Sequence, residues 1–355
     1  MERLRKTIVE PTHTIKQALK QMDAMGKKTL LVVDSHNTLL GTVTDGDIRR
    51  WILKGRGLTS SIVYAMNANP VSLNLDYKQD DAKQIMIRLG LECLPVVDGQ
   101  KKVVSAVWWV DFFEKGTKKS TKTLGVPVVI MAGGEGTRLE PFTKILPKPL
   151  MPIGEKPVVE IIMDRFLEWG CHDFYLSVNY KSNIIKAYFK DFEHPYKIAY
   201  IDEKKPLGTA GSLHFLKKRI QGTLFLSNCD ILIDADYADI LKFHQENRNT
   251  ITLVSSMKHF TIPYGVCEIG GKGTLKNIKE KPEYDFLVNT GMYVLGKQVL
   301  KDIPANRVYH MTDLINDYLH KGKRIGVYPV SEKSWLDMGQ FEALQEMLKK
   351  FEIKS

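Results

Sequence analysis

The chain has 355 residues, more than one typical domain and enough for two. With 43% hydrophobic and 26% charged residues, and no apolar run of the roughly 18 residues a membrane span needs, it reads as a soluble globular protein. The net charge of +10 is spread without an Arg-rich run, so most of the excess is read as solvated surface, with neither nucleic acid nor a membrane as the expected partner. The N-terminal stretch MERLRKTIVEPTH has no apolar core or cleavage pattern, and the four cysteines lie far apart with no Cys-x-x-Cys. Both features suit a reducing cytoplasm, the expected location.

In chain order, the first feature is an internal repeat. Aligning Ala18 with Ala82 also aligns Met22 with Met86, Gly26 with Gly90, Val32-Val33-Asp34 with Val96-Val97-Asp98, and Asp47 with Asp111, without a gap. Each unit reads as a helix (TIKQALKQMDAMG; DDAKQIMIRLG), a short apolar strand, a turn, a second strand and a second helix (DGDIRRWIL; VDFFEKG). The first repeat is placed at 1–61 and the second at 62–113. Residues 114–123, with no large apolar side chain, read as an exposed basic linker.

The remainder, 124–355, opens with the buried-strand run VPVVIMA and then alternates strand-like and helix-like segments. FYLSVN, KIAYID, GTLFLSN, TITLVSS, NTGMYVL and RIGVYPV are strand-like. PVVEIIMDRFLEWG, SNIIKAYFKDF, TAGSLHFLKKRI, YADILKFHQEN and MTDLINDYLHKG are helix-like. The alternation predicts an α/β domain, doubly wound on a mostly parallel sheet, with ligands at the carboxyl ends of the strands. The last segment sets Phe341, Leu344, Leu348 and Phe351 on one helical face, a docking stripe for the domain's own core.

The strongest chemical signal is MAGGEGTRLEPFTKILPKPL, at the end of the first strand of this half. Gly133, Gly134 and Gly136 let the backbone approach a phosphate and aim N–H groups at it, with Ala132 and Thr137 completing the loop. Arg138 offers a planar cation that can fork onto phosphate oxygens, and Lys148 a second cation on a segment stiffened by Pro147 and Pro149. No Gly-Lys-Ser/Thr follows, so this is not a P-loop.

These motifs resemble those of the nucleotidyltransferases that activate sugar 1-phosphates, which have a GT-A/Rossmann-like fold. The resemblance runs over about 126–340. It implies Mg²⁺ on Asp230 and Asp337, sugar and sugar-phosphate contacts from Glu280 and Lys281, and a sugar pocket including Gly265, Asn289 and Thr290. It also implies a base- and sugar-lining segment with Gly208 and Thr209. Some of these have a plainer reading: Gly208 and Gly211 as helix caps, Glu280 as a solvated charge, Asp337 as a turn residue; Asp230, at the end of a buried apolar strand, suits a bland surface role less well. His244, His259 and His310 carry no partner pattern and are read as structural.

The implied reaction needs no general base, because a sugar 1-phosphate, with a second pKa near ~6, is largely dianionic at neutral pH. Positioning and charge neutralisation then fall to the metal, Arg138, Lys148 and Lys281. Glu203 sits where related enzymes have a base-facing residue. A carboxylate there would accept both N1–H and the 2-amino group of guanine, which leans towards GTP; the alternative is an exposed loop charge.

The N-terminal repeats resemble a tandem pair of CBS modules, whose clefts bind adenine nucleotides. Repeat 1 carries the Gly-x-x-Thr-x-x-Asp pattern with Thr44 and Asp47, while repeat 2 has Ser105, Trp108 and Asp111. One competent cleft is therefore expected, unless Asp47 only caps the following helix and Trp108 only fills the core. A CBS pair ahead of this transferase resembles bacterial guanylyltransferases that make GDP-glucosamine on the route to legionaminic acid, and a homo-oligomer is expected. A GDP-mannose or GDP-heptose synthase, a transferase for another base, and a catalytically inactive nucleotide-sensing subunit are the alternatives. The last would be expected to have lost one of Arg138, Lys148, Asp230, Lys281 or Asp337, and all are present.

Overall fold

The structure is a computed structural model and describes residues 2–89, 91–108, 123–191, 193–330 and 332–338. It divides into two compact units, Met1–Lys118 and Lys119–Ser355. Asp111, most of the linker and the 341–351 stripe lie outside the described residues. Among the described residues no helix is long and apolar enough to cross a membrane.

In the first unit, β1 (Ile8–Val9) pairs in parallel with β2 (Thr29–Val33), which pairs antiparallel with β3 (Leu39–Thr44). The helix Ile15–Met25 between β1 and β2 starts at a Thr14–Gln17 capping box and ends at Gly26 in the left-handed region. It buries Ile15, Ala18, Leu19 and Met22, the spacing of one helical face. The second repeat rebuilds this plan with helix Gln79–Leu89 and the antiparallel pair β4 (Cys93–Val97) and β5 (Val103–Trp108). Ala82 and Met86 are buried, as their counterparts Ala18 and Met22 are. The repeats meet through Leu31 and Val33 of β2 against Cys93, Val97, Val103 and Trp108. Hydrogen bonds from Leu39 N to Lys101 O, from Val103 N to Asn37 O and from Asn37 Nδ2 to Val103 O tie their hairpin turns together.

The second unit is built on a seven-stranded sheet. Its first strand is β6 (Val128–Met131), followed in the chain by the short hairpin β7 (Pro152–Ile153) and β8 (Lys156–Pro157). Then come β9 (Asp173–Val178), β10 (Lys197–Asp202), β11 (Leu224–Asn228) and β12 (Ile231–Ile233). They are followed by β13 (Ile251–Thr261), β14 (Val266–Ile269), β15 (Leu275–Lys279), β16 (Glu283–Leu295), β17 (Ile325–Val330) and β18 (Trp335–Asp337). The sheet order is β10-β9-β6-β11-β16-β13-β17. β10, β9, β6 and β11 are parallel, and β16 runs against both its neighbours.

Strand alternation divides the core in two. Val128 and Ile130 of β6, Phe225 of β11, and Met292 and Val294 of β16 face one layer with Ile162, Phe166, Ile185 and Ile240. Val129, Leu224, Leu226, Tyr293 and Leu295 face the other, with Leu213, Val299 and Leu314. This is the doubly wound arrangement, with helices Val158–Leu167, Ser182–Lys190 and Tyr237–Glu246 on one face and Met311–His320 on the other.

One expected helix differs. TAGSLHFLKKRI forms only a single turn, Gly208–Gly211, followed by a 3₁₀ segment, Ser212–Leu216. The turn lies directly on the Arg307–His310 backbone, and Ala210 N and Gly211 N donate to Tyr309 O rather than to a continuing helix. Tertiary contact here overrides local propensity.

Candidate active site

Four loops leave the carboxyl ends of the parallel strands: 132–139 after β6, 179–181 after β9, 203–207 after β10, and 229–230 after β11. In a doubly wound sheet this edge is where ligands bind.

The glycine-rich loop is anchored at its start by Ala132 N donating to Ser177 O. Gly133 lies against Asn179 and the Glu203 carboxylate, and Gly134 is exposed. Gly136 has φ 70°, and a Cβ there would stand 2.9 Å from Thr143 Cγ2 and 3.0 Å from Lys148 Cβ. Only glycine allows both the left-handed turn and that approach, so the loop and Lys148 fold onto one another. Thr137 and Arg138 follow in a 3₁₀ turn, with both side chains exposed.

Lys148 Nζ donates to Asp230 Oδ2 at 2.5 Å, and each side chain is 17% exposed. The pair joins the PKPL segment to the end of β11. Asp337 arrives on β18, which pairs antiparallel with β12 so that Asp337 stands opposite Ile231, while Met338 N donates to Asp230 O at 2.7 Å. Asp230, in the turn between β11 and β12, is thus held next to the end of β18, where Asp337 stands. Between Asp230 and β11, burial pushes the Cys229 thiol up to about 12, so it is a neutral packing group.

Glu203 is not an exposed loop charge. It is 8% exposed, Oε1 accepts from Ser177 Oγ at 2.6 Å, and Oε2 accepts from Leu207 N at 3.0 Å. Its carboxylate therefore holds the Pro206–Leu207 turn against the end of β9, beside Gly133. Each oxygen retains a further lone pair. Gly208 and Gly211 contact the 307–310 segment, and Thr209 Oγ1 accepts from Met311 N at 2.9 Å.

The VNTG segment is a bulge. β13 pairs Val254 with Met292 and then Ser255 with Asn289, which leaves Thr290 and Gly291 as the extra residues of β16. Thr290, 3% exposed, donates its hydroxyl to Val254 O and accepts from Met292 N. Its side chain shapes the bulge and is committed to backbone. Gly291 has φ 90°, and a Cβ there would collide with the Asn228 side chain at the end of β11. Asn289 is exposed, with Nδ2 donating to Tyr293 Oη and Oδ1 accepting from Gly291 N.

Gly265, Glu280 and Lys281 form a second group at the foot of the β14–β15 ribbon. A Cβ on Gly265 would lie 3.0 Å from Glu280 Oε2, and Lys281 N donates to Tyr264 O. Glu280 and Lys281 are exposed and belong to the stretch that leads into β16 and hence to the Asn289–Gly291 bulge.

Sequence reasoning missed the loop after β9. Ser177, Asn179, Tyr180 and Lys181 tie the glycine-rich loop, Glu203 and the 143–145 turn together. The polar run SVNYKS at the carboxyl end of a parallel strand was the available signal.

In the first unit Thr44 caps helix Asp45–Leu53. Asp47 Oδ2 accepts from Thr44 N and Oγ1, and Oδ1 accepts from Arg50. Trp108 is 5% exposed within the core between the repeats, with Lys27 Nζ over its ring. His244, 3% exposed, bonds Thr252 Oγ1, and burial depresses its pKa to about 4.

Residues 127–353 match the nucleotidyl transferase family, and 5–54 and 60–107 each match the CBS domain. The chain is 30% identical over 196 residues to the D-glycero-alpha-D-manno-heptose 1-phosphate guanylyltransferase of Campylobacter jejuni, which covers 55% of this chain and 87% of that protein. It is also 30% identical over 224 residues to the mannose-1-phosphate guanyltransferase of Pichia angusta, covering 60% of each. The crystal structure of HddC from Yersinia pseudotuberculosis superposes with a TM-score of 0.51 at 26% identity, covering 64% of this chain and 99% of that one. A match over well more than half of the chain shows the family: the chain belongs to the nucleotidyl transferase family and carries a tandem CBS pair ahead of that domain.

Proposed function

We propose that the protein is a sugar-1-phosphate guanylyltransferase that takes GTP and glucosamine 1-phosphate, transfers GMP and releases pyrophosphate. The observation that carries the transferase reading is the Lys148–Asp230 pair packed on Gly136, with Asp337 at the end of β18, where the next residue, Met338, bonds Asp230 O. The lean to guanine draws on the buried Glu203 carboxylate beside the loop and on the guanylyltransferases among its relatives.

In this reading the sugar-phosphate oxygen attacks the α-phosphorus, a new P–O bond forms, and the bond to the departing pyrophosphate breaks. Arg138 and the amides of 133–137 hold the pyrophosphate, Lys148 neutralises the α-phosphate, and Lys281 screens the incoming dianion. Asp230 and Asp337 would hold Mg²⁺. The donor set is of the right chemistry for a hard cation, since both are carboxylates; the Lys148 ammonium now on Asp230 Oδ2 would have to share that carboxylate with the ion. Among the described residues no cluster of three or more His, Cys, Asp or Glu gathers. The remaining positions would go to water and phosphate oxygens, as is usual for this ion. When bound, it supplies charge neutralisation between the two phosphates.

Pyrophosphate release from full-length protein tests this, with GTP, UTP, dTTP, CTP and ATP against glucosamine, mannose and heptose 1-phosphates, with and without Mg²⁺. The highest kcat/KM is expected for GTP with glucosamine 1-phosphate. Preference for another triphosphate overturns the base assignment. Preference for heptose 1-phosphate, the second reading favoured by the Campylobacter relative, overturns the sugar. No release from any pair leaves the regulatory-subunit reading. At the CBS pair we propose one adenine-nucleotide cleft, on Thr44 and Asp47, resting on the Gly-x-x-Thr-x-x-Asp pattern and the CBS match; in the structure both side chains form the capping box of helix Asp45–Leu53, so a nucleotide there would have to compete with those bonds.

A further inference from the structure

We propose that Lys181 is a positioning residue for the phosphate loop, its ammonium clamping the 143–145 turn that backs Gly136 and Lys148; this rests on the nucleotidyl-transfer reading of that loop. Lys181 Nζ donates to three successive carbonyls, Thr143 O at 3.3 Å, Lys144 O at 2.5 Å and Ile145 O at 2.9 Å. An ammonium has three N–H donors and no acceptor, so this cradle uses its full capacity. The carbonyls lie at the end of the 3₁₀ turn Phe142–Lys144, where helical carbonyls lack partners and carry negative partial charge. Tyr180 Oη adds a fourth bond, to Thr143 O at 3.3 Å.

Lys181 has φ 51°, a left-handed conformation that is unfavourable for a residue with a side chain. Such a conformation persists where the surroundings over-determine it. A glycine would avoid the cost but provide no ammonium.

The clamp reaches the reaction through direct contacts. Thr143 Oγ1 donates to Gly136 O at 3.0 Å, and both Thr143 Cγ2 and Lys148 Cβ press on the side of Gly136 where a Cβ would stand. Lys148 in turn meets Asp230. The outer side of the turn is lightly covered, with Ile145 75% exposed. Lys181 thus fixes, from the β9 side, the segment that delivers Lys148.

The test uses full-length Lys181→Met, Lys181→Gly and Lys181→Arg. The glycine variant relieves the left-handed backbone, so it separates loss of the ammonium from loss of folding. In Met and Gly variants kcat should fall about 10- to 100-fold, the scale of a misplaced reacting group, with KM for the sugar phosphate little changed. Amide exchange across 136–148 should rise about tenfold or more, with β9 and β11 unchanged. Arg should recover most of the rate, because it too can donate to adjacent carbonyls. Wild-type kcat in the Met and Gly variants, unchanged exchange in 136–148, or a rate loss matched by global unfolding each overturns the proposal. If the wild type turns over no substrate pair, the transferase reading fails, and the exchange measurement reports that separately.

Discussion

Asp230→Asn should leave a folded protein with at least about 100-fold lower kcat, the scale of removing one preorganised electrostatic group. That corresponds to roughly 2.7 kcal/mol of transition-state stabilisation. The structure sets the competing stability cost. Lys148 and Asp230 are each 17% exposed, between a surface pair worth about 0–1 kcal/mol and a buried one that costs 3–5 kcal/mol to break. Asparagine keeps an oxygen that can accept from Lys148 Nζ, so the loss should stay near the lower end, about 1–2 kcal/mol. The rate effect should therefore exceed the stability effect. Asp337→Asn should show a similar rate loss with a smaller change in Tm, because the Lys148–Asp230 pair is retained. Pyrophosphate release at saturating Mg²⁺, beside thermal melts, measures both. Near wild-type turnover in either variant would refute its place in the metal pair. A Tm fall large enough to account for the lost activity would make Asp230 a structural partner of Lys148 alone.

Glu203→Gln replaces one acceptor with a donor facing either Ser177 Oγ or Leu207 N. kcat/KM should fall more for GTP than for UTP or dTTP; an equal loss across all triphosphates would mean that Glu203 only holds the turn. His244 is neutral in the fold, with its pKa lowered from 6.5 to about 4, so its stabilising contribution is present above about 6.5 and lost as pH falls towards 4. The loss is on the order of 3 kcal/mol at most, and urea melts of wild type and His244→Gln between pH 7 and 4 should show the shallower slope in the variant; identical slopes would refute the assignment. Asp47→Ala should abolish AMP binding to the full-length protein by calorimetry and lower stability by about 1 kcal/mol through the lost capping box. Retained binding would move the nucleotide elsewhere.

What was legible in the sequence was what local pattern dictates. The buried-strand run VPVVIMA and the succession of strands and helices after it are readable without coordinates, and β6 is buried on both faces, with Val128 and Ile130 in one core layer and Val129 in the other. Thr44 and Asp47 are three apart, the spacing of a capping box. What escaped was set by distance along the chain. Lys148 and Asp230 are 82 positions apart, and nothing in either motif announces their pairing. For Glu203 the sequence leaves an exposed loop charge open beside the base-facing reading, since Lys204 and Lys205 follow it; its burial depends on Ser177, a residue of β9. The family resemblance sets Thr290 in the sugar pocket, and its hydroxyl bonds within the β13–β16 bulge, a feature that exists only once two strands are paired.

The same distinction bears on the two CBS repeats. Their sequences align without a gap, yet Trp108 stands where repeat 1 has Thr44. In repeat 1 the Thr44 hydroxyl faces the Asp47 carboxylate at a helix start. At the equivalent position of repeat 2, Trp108 turns into the shared core, against Leu31 and Val33 of the first repeat's central strand. An indole buried there contributes a few kcal/mol to holding the repeats together. Opening a nucleotide cleft at that position would remove packing from both repeats at once. Trp108→Ala should therefore destabilise the pair far more than Asp47→Ala does, and the asymmetry of the repeats follows from where the pair keeps its common core.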